Sequence, residues 1–183
     1  MTESKKRSAL LNFFFPKITL GYCLRLLCIA VFAFIFFRHF CIPAFVKGIS
    51  MEPTFKDGTF VFCWTQAYKK VPPVHGDIVM IRYGSDRVML LKRVLAVEGD
   101  VIEFRNGVLY LNNDPAEGDW LNLTPCNWNM APHTVSPGHI YVIGDNRTMP
   151  MDDHVFGEVE TDLIVGKPVD IFKRFQTGYL ENE

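Results

Sequence analysis

Two residues in this chain could carry acyl-transfer chemistry: Ser50, in Gly48-Ile49-Ser50-Met51-Glu52-Pro53-Thr54, and Lys92, in Leu91-Lys92-Arg93-Val94. A serine hydroxyl is a poor nucleophile at neutral pH and needs a base within hydrogen-bond reach. Histidine is the usual base, yet no neighbouring Asp or His points to a Ser-His-Asp arrangement, and there is no Gly-x-Ser-x-Gly elbow. Lysine can serve once it is neutral, which requires its pKa of about 10.4 to be lowered by burial away from carboxylates. Lys92 lies between Val88-Met89-Leu90-Leu91 and Arg93-Val94-Leu95-Ala96-Val97, an apolar surround able to desolvate an amine. If this run is a strand, alternation puts Lys92 on one face with Val88, Leu90 and Val94, and Arg93 on the other with Met89, Leu91 and Leu95. Lys92 is thus predicted to point inward and Arg93 to face solvent. The plainer reading is a lysine snorkelling at a strand edge and an ordinary loop serine or N-cap.

The flanks of these two residues add detail. Pro53 and Gly58 mark a turn-rich loop around Ser50, and Gly48 permits close backbone approach, so backbone N–H groups near Ser50 are the natural oxyanion donors. Met51, Phe55, Leu90 and Leu91 offer apolar surface for a shallow substrate groove, although core packing explains them equally well. Gly144-Asp145-Asn146-Arg147 follows an apolar run and reads by composition as a structural polar turn, with Asp152 and Asp153 just beyond it. Either aspartate could pair with Arg147 or brace the site, whereas a carboxylate touching Lys92 would raise its pKa and spoil a base. No CxxC occurs, and the five histidines, His39, His75, His133, His139 and His154, do not fall in ligand spacing, so neither a metal nor an organic cofactor is expected.

Such chemistry needs elements to position it. Residues 18–37 are apolar apart from Arg25, and as a helix these 20 residues would reach about 30 Å, one bilayer core. A register over 26–45 would instead move Arg25 to the cytosolic edge, and both registers stay open. Lys5, Lys6, Arg7 and Lys17 precede the apolar run, a cytosolic flank by the positive-inside bias. The run is apolar on all faces, unlike the striped helix of a soluble core. A cleaved leader fits poorly, because no small-x-small site lies near residues 41–45 and a cut there would leave Ser50 almost at the new N-terminus.

Beyond this anchor, short runs rich in Val, Ile, Phe and Tyr alternate with Gly, Pro, Asn and Asp, predicting strands over 59–64, 78–83, 88–97, 101–104, 108–111, 139–143 and 164–172. Arg105-Asn106-Gly107 predicts a tight hairpin. Residues 112–137, polar and rich in Pro and Asn, read as a surface excursion, and 176–183 as a fraying tail. The domain reading is a tail and anchor over 1–41 and one mainly β domain over 42–183, since 183 residues at 49% hydrophobic content have room for a single core. A net charge of -1 leaves no footprint for nucleic acid. Cys63 and Cys126 fall in the β domain, either as two free thiols or as one disulfide.

These residues together resemble bacterial signal peptidase I, the Ser-Lys family that removes leader peptides from exported proteins at the membrane surface. Four blocks carry the likeness in the family's order: Gly48 to Thr54, Gly76-Asp77-Ile78-Val79, Lys92-Arg93-Val94 through Gly99-Asp100, and Gly144-Asp145-Asn146-Arg147 through Asp152 and Gly157. The resemblance implies Ser50 as nucleophile, Lys92 as general base, the Ser50 N–H in the oxyanion hole, Met51 and its neighbours against substrate, and small residues before the cut. It also implies a β-rich catalytic domain on the outer face of a cytoplasmic membrane, crossed once with the N-terminus cytosolic. The partners it implies are the bilayer and leader-bearing preproteins or prepilins, with a secretion or conjugation machinery nearby.

Two departures qualify it. Gly48 cannot supply the side-chain oxyanion donor that a serine gives some members, and Pro150 and His154 stand where many have a serine that orients the lysine and an arginine. A dedicated maturation peptidase for a conjugative pilus or transfer protein, or a non-cutting leader-binding module, is therefore the alternative reading.

Overall fold

The computed structural model describes residues 19–84, 89–121, 124–148, 150–151 and 157–169. Lys5, Lys6, Arg7 and Lys17, Val88, Asp152, Asp153, His154 and the tail 176–183 lie outside these. Contacts divide the chain between His39 and Phe40 into two units.

The first unit contributes α1, Leu20–His39, whose 20 residues bury none of their side chains. Thr19 Oγ1 accepts the Tyr22 N–H at 3.3 Å, an N-terminal cap, and Arg38 and His39 occupy the last turn, where cations complement the helix dipole. Of the two sequence registers, 26–45 is excluded, because Cys41–Phe45 forms a strand. Arg25 stays within the second turn of the helix. A helix apolar all round has no packing face for a soluble core, and its length and composition suit a bilayer.

Among the described residues, the second unit is built from eleven strands in two antiparallel sheets. They are β1 Cys41–Phe45, β2 Phe60–Trp64, β3 Ile78–Arg82, β4 Met89–Val97, β5 Val101–Arg105, β6 Val108–Leu111, β7 Asp114–Pro115, β8 Met130–Thr134, β9 His139–Ile143, β10 Glu158–Glu160 and β11 Ile164–Val169. The larger sheet runs β1-β2-β11-β3-β4-β9-β10 and the smaller β7-β6-β5-β8. The β-rich domain with one N-terminal apolar helix is the fold class read from the sequence. Asn106 and Gly107 turn the β5–β6 hairpin with φ of 49° and 81°, the left-handed values that an Asn-Gly turn supplies at little cost.

The strand reading needs correction. Residues 112–137 are more than a surface excursion. They supply β7, a 3₁₀ turn at Asp119–Leu121 and β8, and bury Trp128 edge-on against Phe104 in a core with Leu95, Ile102 and Val135. β1, β7, β8 and β10 were all unread as strands; all four are sheet edges, and three of them carry a proline, Pro43, Pro115 and Pro132, whose missing N–H is tolerated there. Of the two states left open for Cys63 and Cys126, the structure has the free thiols, and Cys23, Cys28 and Cys41 are free as well. Cys63 is buried in β2 of the larger sheet, its thiol pushed up to about 12 chiefly by burial, while Cys126 packs on the core of the smaller one.

Candidate active site

Lys92 sits in the middle of β4, paired with Val79 of β3 on one side. On the other side Arg93 pairs with Ile143 of β9, so extending the register by one residue brings Lys92 abreast of Gly144. Paired residues of an antiparallel ladder share a face. On Gly144, a Cβ would stand 2.2 Å from the Ser50 carbonyl oxygen and 3.3 Å from Ser50 Cβ. The close approach therefore brings the loop bearing Ser50 against Gly144, one ladder position beyond the Arg93–Ile143 pair.

Backbone bonds hold that loop in place. The Asn146 N–H donates to the Ser50 carbonyl at 3.0 Å and Asn146 Nδ2 to the Ile49 carbonyl at 3.1 Å, while Asn146 Oδ1 accepts from Thr148. At the loop's base, Val46 N–H donates to the Thr59 carbonyl and Gly58 N–H to the Val46 carbonyl. Gly48, at φ 89°, donates its N–H to Asp57 Oδ1 at 2.7 Å, so this amide is already spent and offers nothing to an oxyanion.

Gly144 is where a single methyl group would do most harm to this arrangement. We expect Gly144→Ala to displace the Ser50 loop and cut the rate of cleavage by about 10²-fold, the cost of misplacing a reacting group by about an ångström. An unchanged circular-dichroism spectrum alongside that loss would place the damage in the loop; an unchanged rate would mean that the close approach is unimportant.

The electrostatics depart from the sequence reading. Lys92 is 4% exposed and Arg93 8% exposed, so the arginine does not face solvent. Its fork grips Asp145, with Nε on Oδ1 at 2.7 Å and Nη2 on Oδ2 at 2.6 Å, while Nη1 donates to the Gly76 carbonyl at 2.7 Å. Thr54, from the Ser50 loop, adds its hydroxyl to Asp145 Oδ2. Asp145 is thus no surface turn residue: its side chain is fully buried and bidentately paired. Burial pushes the Lys92 ammonium below its ordinary value, and the nearby Asp145 carboxylate opposes that shift without overcoming it.

A groove of about 570 Å³ opens beside Ser50, lined by Met51, Leu90 and Leu91 together with Ile42, Val61 and Met80. Phe55 lies beneath it in the core, next to Met51. Arg147 does not line the groove, although its charge interacts with Asp145 and Arg93. Its guanidinium lies 5.6 Å over the Phe104 ring, buried, with no hydrogen-bond partner for Nε or Nη2 among the described residues, and its backbone N–H donates to Thr124 Oγ1. Asp152 lies outside the described residues. Sequence reasoning missed Arg93, Thr54 and Gly76. A charged residue inside a nine-residue apolar strand was the available signal, since a buried arginine requires a carboxylate. Among the described residues no group of His, Cys, Asp or Glu could hold a metal ion.

An apolar N-terminal helix long enough to cross a bilayer, a serine on the wall of an apolar groove and a desolvated lysine in the same β domain suit the class of membrane-anchored serine peptidases. Comparison with known proteins narrows the class. Residues 20–172 match the family described as signal peptidase, peptidase S26. Signal peptidase IB of Staphylococcus aureus (strain COL) is 31% identical over 155 residues, covering 75% of this chain and 80% of its own. Thylakoidal processing peptidase 1 of Arabidopsis thaliana is 34% identical over 138 residues, 69% of this chain but only 40% of that longer protein. A solved signal peptidase I from Enterococcus faecalis V583 aligns with 52% of this chain and 95% of its own at 27% identity and a TM-score of 0.40.

The chain belongs to the S26 signal peptidase family. It is a membrane-anchored serine endopeptidase of the kind that removes leader peptides from preproteins. These relatives favour neither the dedicated maturation peptidase nor the non-cutting module.

Proposed function

We propose that Ser50 attacks the scissile carbonyl of a leader-bearing preprotein while neutral Lys92 takes its proton. The observation that carries this is the meeting of the Ser50 loop with Gly144, abreast of a lysine whose ammonium is desolvated. With the Gly48 amide held by Asp57, the Ser50 N–H is the oxyanion donor that the family resemblance implies. The lysine then returns its proton to the leaving amine, and water, deprotonated by the same lysine, releases the acyl-enzyme.

The apolar groove receives the residues preceding the cut, with the preference for small side chains that the resemblance implies. The basic residues before the anchor support a cytosolic N-terminus, with the catalytic domain on the outer face of the cytoplasmic membrane. Cleavage of a preprotein with a small-x-small leader by detergent-solubilised protein tests the reading, wild type beside Ser50→Ala. Wild type should cut after the small residue and Ser50→Ala should be inert yet folded. A cutting Ser50→Ala protein would remove Ser50 from the mechanism.

A further inference from the structure

Trp120 lies outside the groove lining, yet the backbone on two sides is shaped around its ring. A Cβ on Gly76, at φ 83°, would lie 2.7 Å from Trp120 Cγ, and one on Gly118, at φ 133°, 2.5 Å from its Nε1. The ring also stacks on the His75 imidazole, with centroids 6.5 Å apart and planes 16° apart. His75 Nε2 is in turn 2.6 Å from Asp100 Oδ2. The indole is therefore wedged against the turn that leads into β3.

That turn is one of the three things Arg93 holds. The Gly76 carbonyl accepts from Arg93 Nη1, the Gly76 N–H donates to the Val94 carbonyl at 2.8 Å, and the Val94 N–H donates to the Asp77 carbonyl at 2.8 Å. The remaining nitrogens of Arg93 fix both oxygens of Asp145. A guanidinium is planar and rigid, so the position of one of its acceptors sets the direction in which the other two donors point.

We propose that Trp120 is a positioning residue for Lys92: its ring seats the Gly76 carbonyl against Arg93 and so keeps the arginine fork on both oxygens of Asp145. The proposal rests on Lys92 being the base. Around Lys92, β3 presents only apolar side chains from Ile78 to Ile81, and β9 carries Tyr141 and, at its far end, His139. Arg93 is on its own strand, and the turn after β9 brings Asp145 and Arg147. Asp145 is a charge that acts on Lys92; Arg93 is its ion-pair partner, and the buried Arg147 guanidinium adds a second positive charge nearby. When the Gly76 seat is lost, Arg93 slackens, Asp145 faces Lys92 less fully paired, and the lysine keeps its proton to higher pH.

The test is the pH dependence of kcat/KM in detergent-solubilised full-length protein, for wild type, Trp120→Ala, Trp120→Phe and Lys92→Ala. The acid limb of Trp120→Ala should move up by about one pH unit, the order of shift a nearby carboxylate produces. Trp120→Phe, whose smaller ring still fills part of the seat, should lie between. A residue that only stabilises the fold would lower the rate equally at all pH values and leave the midpoint where it was. Should Trp120→Ala fail to fold, Trp120→Phe alone decides. An unmoved limb in the folded variants with Lys92→Ala inert overturns the role of Trp120 alone; a Lys92→Ala protein that cuts normally overturns the base assignment beneath it.

Discussion

Lys92→Met is expected to fold normally and to cut leader peptides about 10⁴-fold more slowly, or worse, because it removes the proposed general base, which would act as a unit with its nucleophile. Methionine fills nearly the same volume as lysine without an amine, so the buried environment of β4 accepts it. The pH dependence of both rate and stability should change with it. In the folded protein the lysine titrates below its ordinary value, so the rate rises with pH as the amine loses its proton.

The stability sign follows from the same shift. Between the lowered folded pKa and the unfolded value of about 10.4, the unfolded chain binds a proton that the folded chain does not. Stability contributed by this site therefore rises with pH across that window, and the rise should vanish in Lys92→Met. Denaturant melts of both proteins at several pH values, beside single-turnover cleavage, would measure it. A methionine variant that cuts at the wild-type rate would refute the base; one with the wild-type stability slope would refute the desolvation.

Arg93→Leu should produce the largest loss of stability of any change near the site. Removing one partner of a buried, bidentate ion pair strands the other charge, and such losses run to about 3–5 kcal/mol. Asp145 would then be left in the core with only the Thr54 hydroxyl among the contacts described above. Part of its charge would also fall on Lys92, whose pKa would climb and whose activity at neutral pH would drop. The double variant Arg93→Leu with Asp145→Leu should recover much of the stability, since a buried pair replaced whole by apolar residues is often neutral. It should not recover full activity, because the replaced carboxylate also receives Thr54 from the Ser50 loop. Chemical denaturation of the three variants measures the first claim and cleavage the second. A single variant as stable as wild type would mean that the pair contributes nothing net.

What could be read from the sequence, and what could not, divides along the range of the interactions. The β5–β6 hairpin was legible because Asn106 and Gly107 fix a turn by their own backbone preferences. The burial of Lys92 was legible because its flanks are apolar on both sides. Arg93 was misread because alternation assumes one wet face, whereas β4 lies between β3 and β9 and is buried from residue 91 to 96. Asp145 looked like turn chemistry because its partner lies 52 residues away in the chain, beyond any local pattern. β8 was hidden by Pro132 and by polar neighbours, although Trp120 and Trp128 in the same stretch signalled that it folds back on a core. The approach of Gly144 to Ser50 has no sequence signature beyond the glycine itself.

The five unpaired thiols have a consequence for how the protein is made and handled. No covalent crosslink holds the two sheets, so folding waits on no oxidant, and a reducing buffer removes nothing from the structure. The thiolate, rather than the thiol, is the form that oxidants and alkylating reagents attack. With its thiol held up at about 12 inside β2, Cys63 is shielded chemically as well as sterically. Within the β domain, thiol-directed labels should therefore find Cys41 and Cys126, which are only partly buried, and leave Cys63 in the core of the larger sheet untouched; Cys23 and Cys28 are exposed on the apolar helix.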